Sequence, residues 1–404
     1  MKKQKIFVIM MACFVFSLFS IGSLLYLAAP FIWIGFVLFG LLITFSLSVK
    51  SSTCKAVIFN LSVAILAVTI FECYLYFQQD TNCFYKGSYI CSDYYQKDDL
   101  LGYAPKKNIK ITSEKYLNNQ CLYKVEYTIN DIGLRVSSPI ETTKDKEENK
   151  YCILFFGGSF TFGEGINDDE SLPYQVSIHT PKNSYKTYNF GFHGYGPHQM
   201  LSAIEHGRVK KIVKCSKKVI IIYQAIKDHF YRAQGLRSWD KHGPEYQLDK
   251  DNQLVYKGSF DVNYFLPIVL INQLEKSYLY NQFFYNKQEY ITEKTTHLFQ
   301  SIITHSKNYA KNQFSNISFH VIYWDNEGKD TTITNMFEQL KKEGVQVHFI
   351  THIISDIKLN ESKYFIQSDG HPNSTANEII SKYINEKILP INKKNEKDVD
   401  TNAK

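Results

Sequence analysis

At 404 residues, with 44% hydrophobic and 15% aromatic residues, the chain has room for more than one structural unit and a large core. Its formal charge of +7 is modest for this length and forms no basic stripe with interleaved aromatics, so no nucleic-acid partner is expected. None of the eight cysteines pairs with another at zinc-ligand spacing, and the modest basic excess suits an anionic membrane surface or polymer.

The N-terminal region, 1–78, reads as membrane. No charged residue occurs between Lys5 and Lys50, and a break at Ala28-Ala29-Pro30 divides that stretch into apolar runs at about 6–28 and 31–49. Each is close to the ~20 residues a helix needs to span a bilayer. A third run, about 56–78, carries only Glu72. Core helices of soluble domains seldom lack a polar face, so three transmembrane helices are expected. Lys2, Lys3 and Lys5 precede the first run, and Lys50 and Lys55 separate the second from the third. Both clusters stay cytoplasmic, which puts the N-terminus inside and everything after residue 78 outside. A signal peptide ending near Ala29 is the alternative, and it leaves the large domain on the same side. Cys83, Cys91 and Cys121 then lie in an oxidising compartment; a Cys83–Cys91 bridge would close a short loop, with Cys121 a competitor for either partner. Cys152 and Cys215 flank predicted core strands and read as buried thiols.

Residues 79–150 read as a small accessory region of strands and turns, ending in a solvated Glu- and Lys-rich linker at 141–150. From 151 to 390 strands and helices alternate. Strands are predicted at about 151–156, 185–190, 218–224, 317–323 and 345–350, and helices at about 170–180, 197–213, 288–312, 331–343 and 374–388. This spacing predicts a parallel sheet covered on both faces, with functional groups at the carboxyl ends of its strands. A Tyr-, Asp- and Asn-rich stretch at 235–285 interrupts the alternation and reads as an insertion that walls a binding site, with a hairpin near Tyr246–Tyr256. The tail, 391–404, is polar and expected to be disordered.

The chemistry centres on Cys152–Gly165, CILFFGGSFTFGEG. An apolar strand breaks at a Gly-Gly pair and presents Ser159, a common way to display a nucleophile. A serine hydroxyl needs a base to take its proton. His371, in Ser368-Asp369-Gly370-His371-Pro372-Asn373, stands in a loop before the last helix, and Asp369 is close enough to orient its imidazole. The glycine turn at 157–158 lacks a Walker lysine and a full Gly-x-Gly-x-x-Gly, which sets aside a phosphate cradle.

These segments resemble the SGNH (GDSL-type) hydrolases over roughly 151–390. Gly158-Ser159-Phe160-Thr161-Phe162-Gly163 resembles their first block, Asn189–Gly196 their second and Asp369–Asn373 their last. The upstream Leu101-Gly102-Tyr103 and Asn130–Arg135 segments resemble a lead-in of bacterial members. The resemblance implies a three-layer α/β/α sandwich with a central parallel sheet, flavodoxin-like, and ester hydrolysis or acyl transfer through an acyl-serine. It makes Ser159 the nucleophile and one oxyanion donor, Gly194 a second donor, and Asp369 and His371 the rest of the triad. It implies no metal and no organic cofactor. Three positions depart from the pattern. Gly158 stands where the first block commonly has Asp, and the offset from Asp369 to His371 is two rather than three. Lys227 stands where the third block supplies an Asn side chain to the oxyanion. Gln224, Lys227 and His229 each offer a donor there, and Asp228, His229 and Arg232 are further candidates to line the site. The expected function is a membrane-anchored, extracytoplasmic serine esterase acting on an O-acyl or O-acetyl group of a glycan or lipid. An acyltransferase using a sugar hydroxyl in place of water, and a binding module that has lost turnover, are the alternatives.

Overall fold

The computed structural model describes residues 30–78, 84–86, 94–117, 120–139, 151–181, 184–215, 217–261, 274, 276–283, 291–328 and 330–389, and these fall into two units. The first predicted span, Cys83, Cys91, the linker at 141–150 and the tail lie outside the described residues.

In one unit, helix α1 (Pro30–Ser48) and helix α2 (Ser52–Gln78) are long and apolar enough to cross a membrane. Only 17% of each apolar window is covered by protein, so neither is a core helix. They approach closely where Gly35 faces Thr69: a Cβ on Gly35 would stand 2.0 Å from the Thr69 hydroxyl oxygen. Glu72, the one acid of its run, has a structural reason. Its carboxylate accepts the Tyr278 and Leu279 backbone N–H groups at 2.7 and 2.8 Å, capping the short helix Tyr278–Phe283. That part of the predicted insertion therefore belongs to this unit.

The other unit opens with a β-rich lead-in. Strands β1 (Phe84–Lys86), β4 (Ile109–Leu117) and β5 (Gln120–Ile129) form an antiparallel sheet, and β2 (Tyr95–Asp98) pairs with β3 (Gly102–Pro105). On β5, Val125, Tyr127 and Ile129 alternate inward as a half-buried strand should. β4 breaks this rule at a register shift between Lys115 and Tyr116, and Ser113, Glu114 and Lys115 are all buried. A bulge of this kind re-aims a side chain.

The main sheet holds β6 (Tyr151–Phe156), β7 (Tyr185–Asn189), β8 (Val219–Ala225), β11 (Ile317–Tyr323) and β12 (Gln346–Phe349), all parallel, in the order β12-β11-β8-β6-β7. This is the doubly wound 2-1-3-4-5 order, so its topological switch point falls at β6. Between β8 and β11 the hairpin β9 (Pro244–Leu248) and β10 (Leu254–Ser259) forms as predicted. The inner strands β6 and β8 are buried on both faces, which is why they read as continuous apolar runs. Leu154, Ile221 and Val321 pack on one side with Phe299 and Phe337, from the helices Glu293–Gln313 and Thr331–Lys342. Ile153, Phe155 and Ile222 pack on the other with Leu172 and Ile380, from Leu172–His179 and Ser374–Tyr383. The fold is thus the expected three-layer α/β/α sandwich.

Two local expectations are corrected. The helix predicted at 197–213 is two helices, Pro197–Glu205 and Arg208–Ile212, because Gly207 takes a left-handed φ of +72° between them. Cys152 and Cys215 are not thiols but a disulfide, with Cα atoms 6.1 Å apart. Cys152 opens β6, and Cys215 lies in the segment entering β8, the strand beside it, so the topology brings together residues 63 apart in sequence.

Candidate active site

Strand β6 ends at the switch point and turns sharply. Gly157 has a φ of +145°, and a Cβ there would meet Thr161 Oγ1 at 2.3 Å and the Gln224 carbonyl at 2.8 Å, so only glycine fits. Beyond the turn, helix α3 (Ser159–Phe162) starts with Ser159. The side chain of Asn189 at the end of β7 ties this helix to the second block, with Nδ2 donating to the Thr161 carbonyl at 3.1 Å and Oδ1 accepting the Gly191 N–H at 3.0 Å.

Ser159 Oγ lies 2.8 Å from His371 Nε2, and His371 Nδ1 lies 2.6 Å from Asp369 Oδ2. The short Asp-to-His offset is accommodated by Gly370, whose φ of +84° folds the loop tightly. The loop is pinned by the Ile366 N–H donating to the His371 carbonyl at 2.8 Å and by a bridge between Phe365 and Pro372.

The lead-in reaches this centre directly. Lys115 Nζ donates to Asp369 Oδ1 at 2.5 Å, and both side chains are buried. Glu164, in the turn after α3, places Oε2 3.5 Å from His371 Nε2 and 2.5 Å from His193 Nδ1. His193 Nε2 in turn lies 2.5 Å from the Tyr94 hydroxyl. The turn is rigid because Arg135 donates to the carbonyls of Phe162, Gly163 and Ile166 and to Asp168 Oδ1, while the Gly165 N–H donates to the Tyr127 hydroxyl.

The electrostatics follow from these contacts. Burial pushes the His371 imidazole down, but the charge of Glu164 and the hydrogen bond and charge of Asp369 outweigh it, and the pKa lies above the ordinary 6.5. Burial pushes Glu164 up, but the histidines 371 and 193 and Lys115 bring it down to about 2. Asp369 is likewise held below its ordinary value, against burial, by His371 and Lys115. Burial keeps His193 low despite Glu164 beside it.

In the second block, Gly194 has a φ of +71°, and a Cβ there would stand 2.5 Å from both Trp239 Nε1 and the Tyr103 hydroxyl. Its loop is held by Tyr103 donating to the His193 carbonyl at 2.7 Å and by Arg232 Nη1 donating to the Tyr195 carbonyl at 2.8 Å. The third-block candidates are placed as follows. Gln224 is interior, its Nε2 on Thr161 Oγ1 and its Oε1 accepting from Trp324 Nε1. His229 is buried, with Nδ1 2.7 Å from the Tyr223 hydroxyl and Nε2 shut off from water without a hydrogen-bond partner. Asp228 pairs with Arg232 at 2.6 Å and with Arg237. Lys227 is half-buried at the start of helix Asp228–Arg232. Arg232 lies against the turn that carries Ser159: a Cβ on Gly158 would stand 2.6 Å from its Nη1. A cavity of about 490 Å³ lies between the lead-in and the second block, against Leu101, Ala104, Gly157, Phe192 and Gln199, and none of Ser159, Asp369 and His371 lines it.

No protein-family model matches the chain, and no curated protein matches it in sequence. Among solved structures it is similar to a member of the lipolytic protein G-D-S-L family from Veillonella parvula, at 13% identity over 59% of this chain and 98% of that one, TM-score 0.34. It is also similar to an acetyl xylan esterase from the rumen bacterium Butyrivibrio proteoclasticus, at 12% identity over 70% and 71%, TM-score 0.33. A third likeness is to an alpha/beta hydrolase enzyme from the metagenome of Lake Arreo, at 9% identity over 58% and 93%, TM-score 0.31. The fold is SGNH-like. Its sheet order and the placing of Ser159 and His371 beyond β6 and before the last helix carry that statement. Identities and scores this low leave the chemistry to the residues of this chain.

Sequence reasoning missed Lys115, Glu164, His193 and Tyr94. Glu164 and His193 sat inside the quoted motifs, and two buried-type positions filled by ionisable residues beside a nucleophile are the signal that was there to read. Lys115 and Tyr94 carry no such local sign.

Proposed function

We propose that the protein is a serine ester hydrolase, anchored in a membrane, that removes O-acyl or O-acetyl groups from a glycan or lipid outside the cytoplasm. The observation that carries this reading is the chain of short contacts from Ser159 Oγ through His371 to Asp369. In the first step Ser159 Oγ attacks the ester carbonyl carbon while its proton passes to His371 Nε2. The backbone N–H groups of Ser159 and Gly194 receive the oxyanion. The intermediate collapses, the alkoxide leaves with the proton from His371, and water repeats the cycle on the acyl-serine. The Cys152–Cys215 disulfide supports the extracytoplasmic side, since such bonds persist in oxidising compartments.

The test is labelling of the full-length protein in detergent with a fluorophosphonate, beside Ser159→Ala and His371→Ala, together with p-nitrophenyl acetate hydrolysis. Labelling and hydrolysis are expected in the parent and absent in both variants. Labelling that survives Ser159→Ala removes the reading. A reporter fused after Lys404 tests the side of the membrane; activity of a cytoplasm-only reporter contradicts it.

A pH dependence follows as well. Only the neutral imidazole accepts the Ser159 proton, so kcat/KM should rise with pH as His371 loses its own. Because its pKa is raised, the acid limb of the profile should be centred above 6.5. A limb below that value contradicts the charge arrangement around the ring.

A further inference from the structure

We propose that Glu164 supplies the counter-charge for the His371 imidazolium, so that two carboxylates divide the work: Asp369 orients the ring and Glu164 balances its charge. The proposal rests on the acyl-serine reading of Ser159 and gives that site a further member.

The charged groups that act on the His371 ring come from three elements: Asp369 from its own loop, Lys115 from β4 and Glu164 from the turn after α3. Phe160 covers another side, its ring centroid 5.5 Å from the imidazole's, and brings no charge. Asp369 is already neutralised. Its Oδ1 takes the buried ammonium of Lys115, and only Oδ2 faces His371. The uncompensated charge is Glu164, whose Oε2 is 3.5 Å from Nε2, the nitrogen that receives the serine proton. Its other partner, His193, does not neutralise it. A neutral His193 satisfies both contacts, with Nδ1–H donating to Glu164 and Nε2 accepting the Tyr94 hydroxyl proton.

The charge count makes the consequence plain. With His371 neutral, Lys115, Asp369 and Glu164 sum to minus one; once His371 takes the proton, the sum is zero. Without Glu164 the same step would carry a buried site from zero to plus one. Charges so far removed from water interact strongly, so this difference falls on the transition state. The position is also fixed firmly enough for the purpose. Arg135 holds the carbonyls on either side of Glu164, and Tyr127 takes the next N–H.

Glu164→Gln keeps an acceptor for His193 and removes the charge. The acid limb of kcat/KM is expected to move down by about one pH unit or more, a tenfold loss of proton affinity at His371. The plateau kcat should fall roughly 10- to 100-fold, within the range general-base effects span. Glu164→Asp keeps the charge but withdraws it by one methylene, so its limb should fall between the two. A role confined to holding His193 would lower kcat and leave the limb in place. A limb unmoved in Glu164→Gln overturns the proposal, and if that variant does not fold, an unmoved limb in Glu164→Asp does so. If Glu164→Gln turns over too slowly, NMR titration of the His371 ring in the Ser159→Ala background reads the same shift. Turnover that persists in Ser159→Ala is a separate outcome, and removes the acyl-serine reading instead.

Discussion

Asp369→Asn should lower kcat by about 10⁴-fold with the fold intact, the loss expected when a triad acid is replaced so that the imidazole takes the wrong tautomer. In the variant the tautomer is dictated by Lys115. Asp369 Oδ1 accepts from Lys115 Nζ and Oδ2 accepts from His371 Nδ1. An ammonium can only donate, so in the variant Lys115 keeps the amide oxygen and the NH₂ group is turned towards His371. That NH₂ also meets the His371 backbone N–H, which now points to Oδ2 at 3.3 Å. Nδ1 must then accept, the ring proton moves to Nε2, and Nε2 cannot take the proton of Ser159. Steady-state kinetics on p-nitrophenyl acetate measure the effect, and a loss of less than about tenfold would contradict this geometry. The same reasoning predicts non-additivity. With Lys115→Met added, the Asn side chain is free to flip and offer its oxygen to Nδ1, so the double variant should be faster than Asp369→Asn alone. Few residue pairs in contact behave additively, but here the sign of the coupling is fixed beforehand.

The Lys115 contact also marks where the sequence stops being readable. The sheet was legible because Val219–Tyr223 and Ile153–Phe156 are continuous apolar runs, and strands buried on both faces must be. The turns that carry Ser159 and His371 were legible because glycines 157 and 370 are demanded by local backbone geometry, which sequence spacing records. Lys115 is a charged residue in an alternating strand, where it reads as solvent-facing. The register shift beside it turns it inward, and its partner Asp369 is 254 residues away. Arg135 ends a turn-like segment, and no local pattern marks its side chain as buried. The Cys152–Cys215 bond depends on β6 lying beside β8, a neighbour relation that skips β7 and is not written in either flanking sequence. In each case tertiary contact overrides local pattern, and the region that read as an accessory lead-in supplies Lys115, Tyr94, Tyr103 and Arg135 to the candidate site.

Arg135→Ala should therefore produce the largest loss of stability among single changes in the lead-in, about 3–5 kcal/mol, the cost of breaking a buried pair by removing one partner. The guanidinium is fully buried and its donors are engaged: Nε on Asp168, Nη1 on the Phe162 and Gly163 carbonyls, Nη2 on the Ile166 carbonyl. It also lies over the rings of Tyr127 and Phe162, at 4.4 and 4.8 Å. Truncation leaves the interior carbonyls of Gly163 and Ile166 without the donors they have here, and a cavity between two aromatic faces. Arg135→Lys should recover only part of the loss, because one ammonium cannot reach a carboxylate and three carbonyls from a planar fork. Urea unfolding of the unit that holds Ser159, within the full chain, followed by tryptophan fluorescence, gives the difference. A midpoint within error of the parent would show that the lead-in is not fastened through this residue. Activity adds a second reading. Arg135 fixes the turn that carries Glu164, so kcat of the folded variant should fall even under conditions where the protein remains native.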